Sequence, residues 1–149
     1  MTLYDNSFND PSKMEQVIRL QRPMLVVIDH IGMLNPTADR NTNRFDQIGD
    51  MCDQALRWTI AYNNTIVINS QLSNEKSEEL KRKHDLEHVA LFGSSRAFNA
   101  MDFVLVGIRH WSLPNVAYFR CKKNRKSGVV DTECLLKHNV YTQSYEERT

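Results

Sequence analysis

An unbroken apolar run, Met24-Leu25-Val26-Val27-Ile28, ends abruptly at Asp29. A run without polar alternation suits a strand covered on both faces, as in a parallel α/β sheet. Thr65-Ile66-Val67-Ile68 and Phe103-Val104-Leu105-Val106-Gly107-Ile108 repeat the pattern. Between the first two runs, Phe45, Ile48, Met51, Cys52, Ala55, Leu56 and Thr59 recur at helical spacing, which predicts a helix over 44–62 stopped by Asn63-Asn64. Upstream, Asn9-Asp10-Pro11-Ser12 has the composition of a turn and helix start, with Met14, Val17, Ile18 and also Leu20 as its apolar face, and Pro23 ends that helix. Residues 2–4 read as a short strand and 94–100 as a short helix. Residues 116–121 and 129–136 are β-rich, and the polar stretch 122–128 joins them as a hairpin would. Strand–helix–strand early and a hairpin late predict one α/β domain over 1–149, with a mostly parallel sheet and a C-terminal antiparallel hairpin.

The chain of 149 residues is long enough to bury a core, and its 41% hydrophobic and 25% charged content is ordinary for a globular protein. A formal net charge of +1, from 19 Lys+Arg against 18 Asp+Glu, sets up no global basic field, so any nucleic-acid contact must come from local patches. No apolar run approaches the roughly 20 residues that span a bilayer, and the first residues do not resemble a signal peptide. Cys52, Cys121 and Cys134 are odd in number and widely spaced, which reads as reduced thiols in a reducing, cytoplasmic compartment and leaves the Asn63-Asn64-Thr65 sequon without meaning.

Asp29 is the strongest chemical signal. An acid just past a buried parallel strand lies on the carboxyl edge of the sheet, where α/β proteins bind ligands and where nucleotide hydrolases hold Mg²⁺ or its water shell. A strand-ending Asp also serves simply to cap a loop. Gln71, delivered to the same edge if the second strand is parallel and adjacent, is a neutral amide suited to sensing a γ-phosphate, or to bonding local backbone. Lys123 and Arg125, two apart near the hairpin tip, share a face if extended and can grip phosphate together, whereas Lys122 and Lys126 read as solvated surface.

Taken in order, these segments resemble the motor domain of DnaB-like and phage primase-helicase proteins. Residues 25–34 are similar to the Walker B strand and following turn, and 67–73 to the next strand with its sensor. Residues 91–96 leading into Asp102-Phe103-Val104-Leu105 resemble the family's Gly-Ser segment and Asp-led strand. Lys123-Asn124-Arg125 followed by Gly128 is similar to its Lys-x-Arg hairpin. The resemblance runs from about residue 3 to 145. It implies a RecA-like P-loop NTPase core in a hexameric ring with ATP between subunits. Asp29 would be the Walker B residue that holds Mg²⁺ through water, and Gln71 the γ-phosphate sensor. Lys123 and Arg125 would reach a neighbour's ATP, with Arg125 as the arginine finger. Single-stranded DNA would meet two loops, 35–44 and 73–88, through Arg40, Arg44, Lys76, Lys81, Arg82 and Lys83, giving salt-sensitive contacts without sequence preference. Each of these cations equally suits a solvated loop, and Glu75, Glu78, Glu79, Asp85 and Glu87 dilute the second patch.

The sequence departs from the family at one decisive place. No pair among Gly32, Gly49, Gly93, Gly107 and Gly128 has the Gly-x4-Gly-Lys-Ser/Thr spacing of a Walker A loop, and the segment that carries the family's catalytic Glu has no counterpart. The resemblance therefore implies a core without the P-loop strand and the strand after it. ATP and Mg²⁺ would bind only when a P-loop-bearing fragment or neighbouring subunit completes the site, and the chain alone would not hydrolyse ATP. A second reading from a different class is a non-catalytic module that docks on a full-length hexameric helicase as regulator or decoy. A third is an unrelated α/β protein, which would place Asp29 and Gln71 on opposite sheet edges.

Overall fold

The computed structural model describes residues 2, 4, 9–34, 43–71, 95–109, 113 and 115–147. They fall into two compact units, one formed from Met1–Lys76 and Ala90–Ala100, the other from Ser77–Val89 and Met101–Thr149. The loops 35–42 and 73–88, the Gly-Ser segment 91–94 and Leu3 of the expected first strand lie outside the described residues; Thr2 and Tyr4 are not in a strand.

In the first unit, α1 (Pro11–Gln21) starts where the turn residues predict. The Asp10 side chain accepts from the Ser12 amide at 2.8 Å, and Pro11 occupies the first turn, where no intrahelical N–H is needed. Arg22 ends the helix with φ 48°, its amide donating to the Ile18 carbonyl at 2.9 Å. Of the expected apolar face only Ile18 is fully buried; Met14 and Val17 are half-buried, and Leu20 is exposed. β1 (Leu25–Ile28) leads into a 3₁₀ turn (Ile31–Met33), then α2 (Arg44–Tyr62) and β2 (Thr65–Ile68), and β1 pairs with β2 in parallel, Leu25 opposite Thr65 and Ile28 opposite Ile68. α3 (Ser95–Ala100) lies against α2. The core of this unit is Ile18, Ile28, Ile31, Leu34, Met51, Cys52, Ala55, Trp58, Ala97 and Ala100. Trp58, 1% exposed, is its largest member and sits three residues after Ala55 on the same helical stripe.

In the second unit, β3 (Phe103–Arg109), β4 (Val116–Asn124), β5 (Glu133–Asn139) and β6 (Ser144–Glu147) form one antiparallel sheet in that order. The expected parallel pair and antiparallel region are both present. The C-terminal part is larger than a hairpin, since β3 pairs antiparallel with β4 and β6 adds an edge. Residues 129–132 are not a strand, because Gly128 (φ 70°) and Asp131 (φ 58°) turn the chain there.

Expected burial of the strands on both faces needs correction. In β1 and β2, Leu25, Val27 and Val67 share one exposed face, while Ile28 is buried on the other. In β3, Val104 and Val106 are buried but Phe103 and Leu105 are exposed. An apolar run fixes that a strand can be covered twice and not that it is. Among the described residues β1 and β2 pair only with each other, and β3 only with β4.

Candidate functional site

The parallel register of β1 and β2 decides where their polar ends go. The Asn69 amide donates to the Ile28 carbonyl at 3.0 Å, and the Ile31 amide donates back to the Asn69 carbonyl at 3.0 Å. Asp29 and Asn69 are thereby fixed side by side at the carboxyl end of the pair, and the Asn69 side-chain amide donates to Asp29 Oδ1 at 3.4 Å. Gln71, exposed and two residues beyond Asn69, leaves the same edge. Asp29 and Gln71 therefore share an edge, the opposite of what an unrelated fold would give. Sequence reasoning stopped at Gln71 and missed Asn69; its signal was position, the first residue past β2, which a parallel register sets against the first residue past β1.

Asp29 is exposed, and among the described residues no three His, Cys, Asp or Glu side chains converge. One carboxylate with a neighbouring amide is a donor set that fits Mg²⁺, which keeps several waters and takes further oxygens from substrate phosphates. The Asp29–His30 peptide is cis. The next turn is held by local bonds: Gly32 donates its amide to His30 Nδ1 at 3.1 Å, and a Cβ at Gly32 would lie 2.8 Å from the same ring. Arg44, one of the expected DNA contacts, heads α2 and braces this turn. Its guanidinium donates to the Gly32 carbonyl, to the Leu34 carbonyl at 3.4 Å and to Gln47 Oε1 at 3.3 Å. Arg40, Lys76, Lys81, Arg82 and Lys83 lie outside the described residues. Arg96 ties α3 to α2 through Asp50 and Asp53, each at 2.6 Å.

In the second unit a β-bulge organises Lys123 and Arg125. Leu105 stands opposite Cys121 but Val104 stands opposite Lys123, so Lys122 is the extra residue. The shift puts Lys123 on the face of the buried Val104, because directly opposed residues point to the same side. Lys123 is half-buried, and burial holds its ammonium below the ordinary lysine pKa, with the Arg125 charge adding to the effect and Asp102 opposing it. Arg125 is the first residue of the turn. Its amide donates to the Asp102 carbonyl at 2.8 Å, and Nη1 pairs with Asp102 Oδ1 at 2.6 Å. Lys122, expected as free surface, pairs with Asp131 at 2.8 Å.

All three cysteines are free, Cys52 and Cys121 buried. No helix among the described residues is long and apolar enough to cross a membrane. No family model and no curated protein matches the sequence. Among solved structures the chain is similar to a helicase ATPase domain, with TM-score 0.77 and 18% identity over 94% of this chain and 52% of that one. It is also similar to a DnaB-like replicative helicase solved with regard to its interactions with primase, with TM-score 0.75 and 18% identity over 91% of this chain and 34% of that one. The chain spans about half the length of the first and a third of the second. At this identity the likeness establishes architecture, and the architecture is that of part of a DnaB-like helicase ATPase domain.

Proposed function

We propose that residues 1–149 supply part of the ATP- and DNA-handling machinery of a DnaB-like replicative helicase. The carrying observation is the β1–β2 register, with Asp29 beside Asn69 and Gln71 on the same carboxyl edge, in a fold shared with helicase ATPase domains. In this reading Asp29 holds Mg²⁺ through its water shell, and Gln71 contacts the γ-phosphate. Lys123 and Arg125 reach the ATP of an adjacent subunit in a hexameric ring, where Arg125 stabilises charge growing on the transferring phosphoryl group. Arg40, Arg44, Lys76, Lys81, Arg82 and Lys83 meet the phosphates of single-stranded DNA. Mg²⁺ would supply charge neutralisation of the phosphates. The Walker A loop comes from outside residues 1–149, whether in a longer chain, a separate fragment or a neighbouring subunit.

The test takes residues 1–149 alone. Fluorescent oligo(dT) should bind with an affinity that falls steeply with salt, and combined Lys81→Ala, Arg82→Ala and Lys83→Ala substitution should flatten the slope by up to about three charges. ATP turnover should be absent. Turnover that disappears in Asp29→Ala would show that these residues already hold a complete site, and failure to bind oligo(dT) at low salt would remove the DNA half of the proposal.

A further inference from the structure

We propose that Asp102 holds the Arg125 guanidinium as an intramolecular stand-in for an oligophosphate, so that the β4 hairpin binds such a ligand by exchanging one carboxylate for it. The inference rests on the phosphate-reaching role proposed for Lys123 and Arg125, and adds the group that holds them ready.

Two bonds join the same pair of residues. The Arg125 amide donates to the Asp102 carbonyl at 2.8 Å, just beyond the Phe103–Asn124 pair, which closes the open end of the β3–β4 ladder. With the main chain sealed there, Nη1 and Oδ1 meet at 2.6 Å as a consequence of the fold and not of a wandering side chain. The bulge at Lys122 turns Lys123 to Val104's face, and Asp102, two residues before Val104 on the same strand direction, shares that side. Two cations thus converge on one anion. An incoming anion that displaces the carboxylate meets both.

Exchange is open and cheap. The Arg125 and Asp102 side chains are 53% and 71% exposed, and ion pairs so exposed contribute little. A guanidinium presents the same planar fork to carboxylate and to phosphate, so one can replace the other without moving the arginine. Asp102 is accordingly a positioning residue; it touches no ligand once the exchange is made.

The probe is inorganic tripolyphosphate, titrated into ¹⁵N-labelled residues 1–149 at about 0.1 M ionic strength, where the screening length is about 10 Å. Saturable shifts are expected at the Lys123 amide and the Arg125 Nε–Hε, lost in Arg125→Ala. Asp102→Asn should tighten binding roughly 2- to 5-fold, the range an exposed ion pair can impose. Asp102→Glu should return the wild-type affinity. Glu147→Gln removes the same charge from β6, three strands from β3 and about 14 Å away, and should leave the affinity unchanged. If Asp102→Asn behaves like Glu147→Gln, the stand-in role is overturned while the phosphate reading survives. If no variant shows saturable shifts at Lys123 and Arg125, the phosphate reading fails and takes this inference with it.

Discussion

Replacing Trp58 separates two contributions that usually travel together. The side chain is 1% exposed, and among the described residues nothing accepts a hydrogen bond from its indole Nε1. Trp58→Ala discards a large buried aromatic and leaves a cavity, a change that costs about 3–5 kcal/mol. Trp58→Phe keeps most of the aromatic body. It gives up roughly 40 Å² of burial, about 1 kcal/mol at ~25 cal/mol/Å², and opens a void of roughly 50 Å³, about another 1 kcal/mol. Against this, it removes a buried donor with no acceptor, which costs about 1–3 kcal/mol while it stands. The phenylalanine variant should therefore lie within about 1 kcal/mol of the parent, far from the alanine variant. Urea unfolding followed by far-UV circular dichroism measures both, with a constant m-value as the check on two-state behaviour. A Trp58→Phe loss of about 3 kcal/mol or more would mean that the indole N–H is satisfied and that the reasoning is wrong.

Thiol labelling should be ordered. Burial, with Asp53 adding to it, pushes the Cys52 thiol up to about 12, so native protein should react with a disulfide reagent first at the half-buried Cys134 and at Cys52 only on unfolding; early labelling of Cys52 contradicts this. The hydrogen bond from Lys122 holds the Asp131 carboxyl below the usual range, so its stabilising contribution is present above about pH 4 and is lost as pH falls through the depressed value. Amide exchange over residues 125–132 should accelerate on that acid side, and Asp131→Asn should remove the dependence. A Cβ at Gly107 would lie 2.7 Å from the Phe119 ring; Gly107→Ala should cost about 1–3 kcal/mol alone and much less in a Phe119→Leu background, read by thermal unfolding. In an assembly that hydrolyses ATP, Arg125→Ala should lower turnover by ~10³–10⁵ with nucleotide binding less affected, and an unchanged rate would deny it the finger role.

What the sequence disclosed and what it hid divide along physical lines. Local signals carried well: Asp10-Pro11 opens α1, Asn63 at φ 52° closes α2, and polar residues end both parallel strands. Periodicity located α2 but passed over Trp58, because a bulky aromatic next to Arg57 and Thr59 reads equally as boundary or core. β6 escaped because Ser144-Tyr145-Glu146-Glu147 is polar, as an exposed edge strand should be, and owes its form to pairing with β5. At the site, Asp29 and Gln71 were legible as strand-ending polar residues, whereas Asn69 became visible only with the register that seats it beside Asp29. The Asp102 partner of Arg125 was hidden for the same reason, being 23 residues away in sequence.

The extra residue at Lys122 makes the hairpin's chemistry a matter of parity. Side chains alternate across a sheet with period two, so a ladder with one residue more or fewer presents the opposite set. Removing Lys122 would restore a regular β3–β4 pairing while leaving Lys-Asn-Arg intact as a string of letters, yet it would carry Lys123 away from Val104's side and part it from the acid that now accompanies it. A one-residue deletion that spares every charged side chain of the motif should thus be more damaging than conservative changes within it. Comparison of such hairpins between proteins has to count residues back to the bulge, since the motif has meaning only on the correct side of the sheet.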